Sequence, residues 1–347
     1  MTPQERALAH VRALFPSPGG PALPAPVTIN FHPDRLVPDG RTVAECLAAE
    51  GVYRSQFETG ISNGGLNDHL GGARERWEQR MFGGAYAGPS GRPLYGALNL
   101  AGHPDGAAPR FGSCHLVLEP AVSARTTFSH GDSVTEPSIM GTAGTFGALW
   151  DALLDEVART GSALALAADS PQEWIEALAA RSSAGLSPAC GRAIDWYVEA
   201  QIHGGVTLSE DVAAVVADPS FRGTPTEAAL SAIGVPVRWH PGFALPAARF
   251  PVILRGPEVP ALALFVAARY DRRVLDAEVI GRAARSVVRS PREWGRVRSA
   301  RRGPPAGQVP VAHPGPARLT AGCDPAHIAG CHVPVGAGVL EGRIHRP

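Results

Sequence analysis

The hydrophobic positions along the chain alternate between a helical and an extended spacing. Spacings of three and four residues predict helices at residues 1–17, 146–168, 173–181, 208–216 and 276–288. Short apolar or alternating runs predict strands at residues 27–31, 94–100, 113–118, 125–129, 196–202, 235–239 and 250–254. Thr42 can cap a further helix that continues to about Glu50, where Gly51 ends it. Because these elements interleave without a regular βαβ rhythm, the pattern predicts an α+β fold.

The chain is predicted to consist of four segments. Residues 1–26 hold the first helix and a Pro/Gly-rich linker, and residues 27–230 form the core domain. Residues 231–300 form a C-terminal extension that packs on the core, and residues 301–347 form a tail rich in Pro, Gly and Arg. Inside the core, residues 51–84 are dense in glycine and are predicted to form a long loop. Loops of that length are uncommon in compact domains unless they serve a function.

The composition excludes several classes of protein. The chain has 347 residues, of which 44% are hydrophobic, so it can bury a sizeable core. The 32 basic residues, all arginine, are balanced by 32 acids, and this neutral charge predicts no nucleic acid or membrane partner. Five cysteines do not make a disulfide scaffold. No signal peptide or membrane-length apolar run occurs, so we expect a cytoplasmic location, with export by a signal-less route left open.

The common motifs for nucleotide binding, hydrolysis and metal binding are absent from the sequence. There is no GxGxxG after a strand, no HExxH and no GxSxG, and a P-loop needs the lysine that this chain lacks. One group in the tail contains metal-ligating side chains, namely Cys323, His327, Cys331 and His332. Its spacing differs from that of the common zinc sites, so we expect no metal.

Three segments place polar side chains in or beside predicted strands. TINFHPDR places His32 at the end of the first strand, and RPLYGALNL places Tyr95 directly before Gly96. In DWYVEAQIHGGV, a period of two puts four polar or ionisable residues on one strand face: Tyr197, Glu199, Gln201 and His203. Such a face is often simply solvated, but here it combines an acid, an amide and an imidazole.

These segments resemble the ADP-ribosyltransferase superfamily, which has a His ending its first strand, a Tyr in a middle strand and a Glu on a late strand. The runs YRSQFETGISNGG, FGGAY, YGALNL, RFGSC and EAQIHG resemble more specifically a CteC-like family of bacterial effectors. The resemblance covers about residues 27–300. It implies a split β-sandwich core with flanking helices and a C-terminal extension. It also implies transfer of ADP-ribose from NAD to a protein, with a threonine of ubiquitin as the expected acceptor, and no metal.

The resemblance also implies roles for individual residues. Glu199 would hold the nicotinamide ribose and stabilise the oxocarbenium-like transition state, as carboxylates do in glycoside hydrolysis. His32 would bind the adenine-side ribose, Tyr95 would stack on nicotinamide, and Arg54 would pair with the pyrophosphate. The catalytic set is therefore Glu199, His32 and Tyr95. The residues expected to bind NAD are His32, Arg54, Ser55, Gln56, Asn63, Tyr95, Gly96 and Gln201.

The chain departs from the superfamily pattern near the catalytic acid. Tyr197 occupies the place, two residues before Glu199, where many members have Gln or Glu, while the amide Gln201 comes two residues after it. No Ser-Thr-Ser strand occurs, which disfavours transfer to arginine and leaves the acceptor open. Glu58 and Asp132 are alternative carboxylates for the role of Glu199.

Structural roles remain alternatives for the same residues. His32 can end a strand, Tyr95 can pack in a core, and Arg54 can pair with a neighbouring acid such as Glu50 or Glu58. Glu199 can lie on a solvated face, and His203 and Asp132 can form turns. Two other functions also stay open. They are hydrolysis of NAD with water as the acceptor, and a non-catalytic binding module on the same fold.

Overall fold

The computed structural model describes residues 1–20, 25–61, 66, 69–180, 192, 194, 196–252 and 256–294. Asn63 and the tail with its cysteines and histidines lie outside these residues. The helices of the described part are α1 (Pro3–Leu14), α2 (Val43–Glu50), α3 (Gln56–Thr59), α4 (Ala73–Met81), α5 (Gly147–Thr160), α6 (Pro171–Ala180), α7 (Leu208–Asp211), α8 (Pro225–Ala232), α9 (Val259–Tyr270) and α10 (Ala277–Arg289).

The strands of the same part are β1 (Val27–Phe31), β2 (Val52–Tyr53), β3 (Leu94–Leu98), β4 (Cys114–Leu118), β5 (Thr126–His130), β6 (Met140–Thr142), β7 (Ser162–Ala163), β8 (Leu166–Ala167), β9 (Val198–Ile202), β10 (Val206–Thr207), β11 (Val212–Ala217), β12 (Val237–Trp239), β13 (Ala244–Pro246) and β14 (Val274–Asp276). Eight of them form one sheet in the order β12-β11-β4-β1-β3-β9-β5-β6. All neighbours in it are antiparallel except β11 and β12. The fold is therefore α+β, as the sequence predicts.

The sheet divides between β1 and β3 at its centre. These strands pair at only two positions, Val27 with Leu98 and Thr28 with Ala97. On either side, β1 pairs with β4 over four positions and β3 pairs with β9 over five. Beyond Thr28 the two central strands therefore separate, and an opening forms between the two halves of the sheet.

The two faces of the sheet differ in chemistry. One face carries the apolar residues of the central strands, such as Ile29, Leu94 and Val198, which are buried with helices α2, α5, α6 and α8 in the main core. The opposite face carries Tyr95, Glu199 and the other polar residues of β9, and helix α4 lies against it. A smaller cluster that includes Trp77 and Phe82 packs there with α1. The polar face of β9 is thus buried rather than solvated.

Some predicted elements are confirmed and others are wrong. Strand β1 and helix α2 match their predictions, and Thr42 and Gly51 cap α2 as expected. Residues 51–84 are not a continuous loop, because they contain β2, α3 and α4. The helix predicted at 208–216 stops at Asp211 and continues as strand β11, since consecutive buried apolar residues fit either structure.

Two further predictions differ from the structure. The helix predicted at 146–168 ends at Thr160, because Gly161 adopts a left-handed conformation and a short β7–β8 hairpin follows. The strand predicted at 250–254 is absent from residues 250–252, and residues 253–255 lie outside the described part. The extension predicted to begin at residue 231 contributes β12 to the main sheet.

The remainder of the extension builds a second small core. Residues of α9, α10, β13 and β14 pack together around Leu275 and Trp294. Helix α10 fixes this unit to the main domain, because Arg285 binds the Asp34 carboxylate at 2.7 Å and a Cβ on Gly281 would overlap that carboxylate. No helix within the described ranges has the length and apolar character required to span a membrane.

Candidate functional site

A cleft of about 460 Å³ opens where β1 and β3 separate. Its inner wall contains Glu199, Asp132, Tyr197, Tyr95 and Arg74. Its outer rim is formed by the ends of α2 and α3 and by the loop after β1, which carry several arginines and acids. The cleft therefore has buried acids at its bottom and exposed charged residues at its entrance.

Glu199 lies at the base of the cleft with only 4% of its surface exposed. One carboxylate oxygen accepts hydrogen bonds from the backbone N–H and the hydroxyl of Ser133, both at 3.2 Å. The other oxygen accepts a hydrogen bond from the Gln201 amide at 3.0 Å. The acid is thus held by three donors, none of which carries a charge.

The surroundings raise the pKa of Glu199 to about 7. Burial is the main cause, and the nearby Asp132 carboxylate adds to it, while Arg74 and the hydrogen bonds from Gln201 and Ser133 act in the opposite direction. A carboxyl group with such a pKa can exist in either protonation state near neutral pH. This is the property expected of an acid that takes part in chemistry.

Asp132 provides a second carboxylate in the cleft. It caps the short 3₁₀ turn of Ser133–Thr135 by accepting the Val134 N–H at 2.8 Å, as the turn interpretation predicts. Its other oxygen accepts the Tyr197 hydroxyl at 2.7 Å. Tyr197 in turn packs edge-on against Phe111, and both rings line the cleft. The tyrosine that departs from the superfamily pattern therefore positions an acid next to Glu199.

Arg74 on helix α4 is a cation whose charge acts on Glu199, and the sequence analysis missed it. Its side chain is 98% buried, its guanidinium lies 4.0 Å above the Tyr95 ring, and it donates to the Ser133 hydroxyl. Burial lowers its pKa, but Tyr95, Glu199 and Glu78 raise it by more, so the pKa lies above the ordinary value. The Nε atom of Arg74 is buried and has no hydrogen-bond partner. This buried cation at the cleft therefore keeps one N–H that forms no hydrogen bond.

Tyr95 and His32, two of the predicted site residues, both line the cleft. The Tyr95 hydroxyl donates to Glu78 at 2.7 Å, and Arg74 already covers one face of the ring. Stacking on a ligand would therefore use the opposite face. Burial, with a smaller contribution from the Arg35 charge, lowers the pKa of His32 to about 4, so its imidazole is neutral at pH 7. A neutral imidazole suits a hydroxyl better than a phosphate.

Gly96 also lines the cleft, at the point where the two half-sheets last touch. A Cβ at this position would lie 2.5 Å from the Thr28 carbonyl oxygen. Glycine is therefore required by the close approach of β1 and β3, which shapes the cleft.

The predicted residues at the rim have mainly structural partners. Arg54 is about half exposed and binds Glu50 at 2.6 Å, which agrees with the ion-pair alternative. Ser55 caps helix α3 and exchanges hydrogen bonds with Glu58, so neither side chain points freely at a ligand. Gln56 lines the cleft beside them.

Gln201 does not line the cleft, contrary to its predicted role as a ligand-binding residue. It is fully buried behind Glu199 and donates to that residue, so it acts on the acid rather than on a ligand. His203 is likewise buried and bonded to Tyr86 and Thr127, and it does not form a solvent-exposed turn.

The sequence carries weak signals for the residues it did not reveal. Arg74 and Glu78 are four residues apart in RERWEQR, and this spacing places them on the same side of a helix. The surrounding glycines led to a loop prediction, and so the helix and its inward-facing charges were missed. No group of three or more His, Cys, Asp or Glu within the described part of the chain is arranged to hold a metal ion.

Comparison with protein families identifies the family of this chain. No curated protein matches the chain. A family model described as "Protein of unknown function (DUF3626)" matches residues 26–303, which is more than half of the sequence. The matched range contains the divided sheet, the cleft and the second core. The chain therefore belongs to the DUF3626 family.

Proposed function

We propose that this protein is an NAD-dependent mono-ADP-ribosyltransferase that modifies a protein acceptor and releases nicotinamide. The observation that carries the proposal is the position of Glu199, a buried acid at the base of a cleft between the two halves of the sheet. In its ionised form it can hold a ribose hydroxyl and stabilise positive charge at the anomeric carbon. The C–N bond to nicotinamide then breaks, and nicotinamide leaves with the electron pair.

The acidic pair at the base of the cleft favours a hydroxyl acceptor. An attacking hydroxyl forms the new C–O bond and must lose its proton to a nearby base. Asp132 lies beside Glu199 and lines the same cleft, so a carboxylate is available for that proton. A threonine or serine side chain fits this chemistry, and ubiquitin is the first acceptor that we would test.

Arg74 suits the pyrophosphate of NAD better than Arg54 does. Its guanidinium is buried in the inner cleft and keeps an unbonded N–H, whereas Arg54 is exposed and engaged by Glu50. A planar guanidinium binds phosphate oxygens through paired hydrogen bonds, which gain strength in a buried site. We therefore assign pyrophosphate binding, the role that the resemblance gives to Arg54, to Arg74 instead.

The first experiment incubates the protein with NAD, with and without ubiquitin, and measures nicotinamide release and intact masses. We expect ubiquitin to gain one ADP-ribose group and Glu199→Gln to abolish the gain. Glu58→Gln is the matched control, because Glu58 is a cleft-lining acid engaged in a helix cap. Nicotinamide release without a mass gain would indicate hydrolysis. No release from the intact protein would refute the enzyme proposal and favour a binding module.

A second pair of variants tests the pyrophosphate assignment. Arg74→Gln should raise the KM for NAD at least about tenfold, since a buried charged hydrogen bond contributes about 1.5–3 kcal/mol. Arg54→Gln should change KM by less than about fivefold, because exposed ion pairs contribute up to about 1 kcal/mol. Equal effects of both substitutions would contradict the assignment.

A further inference from the structure

A chain of buried side chains runs from Glu199 away from the cleft along the polar face of β9. Gln201 and His203 follow Glu199 on this face, and Thr127 of β5 lies directly opposite Gln201 in the sheet register. Gln201, Thr127 and His203 have no exposed surface, and Tyr86 at the far end is 5% exposed. Apart from the slight exposure of Tyr86, these side chains therefore have no contact with solvent that could exchange their hydrogen bonds.

The hydrogen bonds of this chain all point in one direction. The Tyr86 hydroxyl bonds to Nδ1 of His203, and Nε2 of the same ring lies 3.0 Å from the Thr127 hydroxyl. Thr127 donates to the Gln201 carbonyl oxygen at 2.8 Å, so its oxygen must accept from His203. The ring then carries its proton on Nε2, and Nδ1 accepts from Tyr86.

The neutral state of His203 supports this order. Burial, with a smaller contribution from the Arg125 charge, lowers the pKa of His203 to about 3. The neutral ring has one donor and one acceptor, so the assignment of one nitrogen decides the other. Edge-on packing of Phe82 and stacking of Tyr86 hold the ring in place.

The last step of the chain decides which end of the Gln201 amide faces Glu199. With its carbonyl bonded to Thr127, the amide N–H₂ group donates to Glu199 at 3.0 Å and to the Ser129 hydroxyl at 3.1 Å. Ser129 uses its own proton on the Gly131 carbonyl, so its oxygen is an acceptor for Gln201. A rotated amide would place its carbonyl oxygen against the carboxylate, where two acceptors repel each other.

We propose that Gln201, Thr127, His203 and Tyr86 are positioning residues, which keep the Gln201 N–H₂ group directed at Glu199 and so fix the orientation of this carboxylate toward the cleft. Hydrogen bonds aligned in one direction polarise one another, so the effect of the distant hydroxyls reaches the acid. The catalytic consequence rests on the proposed function. The effect on Glu199 itself does not, because it concerns one carboxylate in the free protein.

Thr127→Val tests the proposal, since valine keeps the shape of threonine and removes the hydroxyl. Thr127→Ser is the matched control, because it keeps the hydroxyl and removes the methyl group. We would titrate Glu199 by carbon-13 NMR in both variants, with its signal assigned by its loss in Glu199→Gln. The other groups that face Glu199, namely Asp132, Arg74, Tyr95 and Tyr197, are the same in both.

We expect Thr127→Val to raise the pKa of Glu199, because the amide is no longer held as a donor, and Thr127→Ser to leave it within experimental error. In the NAD assay, the valine variant should lower kcat about tenfold with KM for NAD nearly unchanged, while the serine variant stays near the wild-type rate. If Thr127→Val fails to fold, Tyr86→Phe tests the same hydrogen bonds. It removes the hydroxyl that keeps the His203 proton on Nε2, and it retains the aromatic ring of residue 86.

Two results would overturn the proposal. One is a Glu199 titration that is identical in wild type, Thr127→Val and Tyr86→Phe. The other is an equal loss of kcat in the valine and serine variants, which would indicate a packing role. If the wild-type protein releases no nicotinamide but Thr127→Val still shifts the Glu199 titration, the positioning role stands and the proposed reaction fails.

Discussion

The raised pKa of Glu199 makes a quantitative prediction about stability. The unfolded carboxyl group ionises near its ordinary pKa of 4.5, while the folded one keeps its proton up to about pH 7. Between these values the folded state binds the additional proton, so raising the pH favours unfolding. At about 1.4 kcal/mol for each pKa unit, Glu199 should lower the free energy of unfolding by about 3 kcal/mol across this range.

Glu199→Gln removes this titration while keeping the size of the side chain. Other buried groups titrate in the same range, including Asp34, whose pKa is raised to about 6 mainly by burial, and His32. These groups are present in both proteins, so their contributions cancel when the two curves are subtracted. The free energy of unfolding of the variant, relative to that of the wild type, should therefore be lowest near pH 4.5 and should rise steadily up to pH 7.

The assay is urea unfolding followed by tryptophan fluorescence at several pH values from 4.5 to 8. Trp77 and Trp174 are both buried, so their emission reports the loss of the core. The absolute stability of the variant depends on how its amide meets Ser133 and Gln201, but the change with pH does not. Parallel curves for the two proteins would refute the raised pKa. Glu210→Gln, at an exposed position on α7, is the control for loss of a carboxylate.

Two further predictions concern the walls of the cleft. Gly96→Ala should destabilise the protein by about 1–3 kcal/mol, because its Cβ would lie 2.5 Å from the Thr28 carbonyl oxygen. The measurement is a lower melting temperature. Gly144→Ala is the control and should be tolerated, because a Cβ there meets nothing within 4 Å. Cys46 lines the cleft whereas Cys114 is fully buried, so a maleimide should label Cys46 first, and NAD should slow that labelling. Peptide mapping identifies the labelled cysteine. Faster labelling of Cys114 would contradict the arrangement.

The sequence predicts well those elements whose signals are local. Thr42 and Gly51 carry the capping information for α2, and it depends on no distant contact. The alternation around Glu199 likewise places it on the same strand face as Gln201, as the structure has it. Neither pattern reports what covers that face. A polar strand face is solvated in one fold and buried in another, and here helix α4 decides the outcome.

The parts that sequence could not predict depend on long-range packing. The glycines around helix α4 predict a loop, yet the helix carries Arg74 into the cleft and Glu78 to the Tyr95 hydroxyl. Its burial against the sheet overrides the weak local signal. The resemblance assigns Arg54 to the pyrophosphate because arginine can bind phosphate groups bidentately. Its ion pair with Glu50, four residues earlier, is the alternative that the sequence also offers, and only the structure decides between the two roles.

The hydrogen bonds of Glu199 help to separate a reactive acid from a structural one. A structural buried acid is normally paired directly with a cation, because an uncompensated buried charge is strongly destabilising. Here Arg74, whose charge acts on Glu199, donates to Ser133 instead, and Glu199 receives only neutral donors while Asp132 opposes its ionisation. This arrangement costs stability at neutral pH and leaves the acid able to change its charge. If Glu199→Gln is more stable than the wild type above pH 7 and yet inactive, the acid both lowers stability and supports activity. Replacement of a purely structural acid would give neither result.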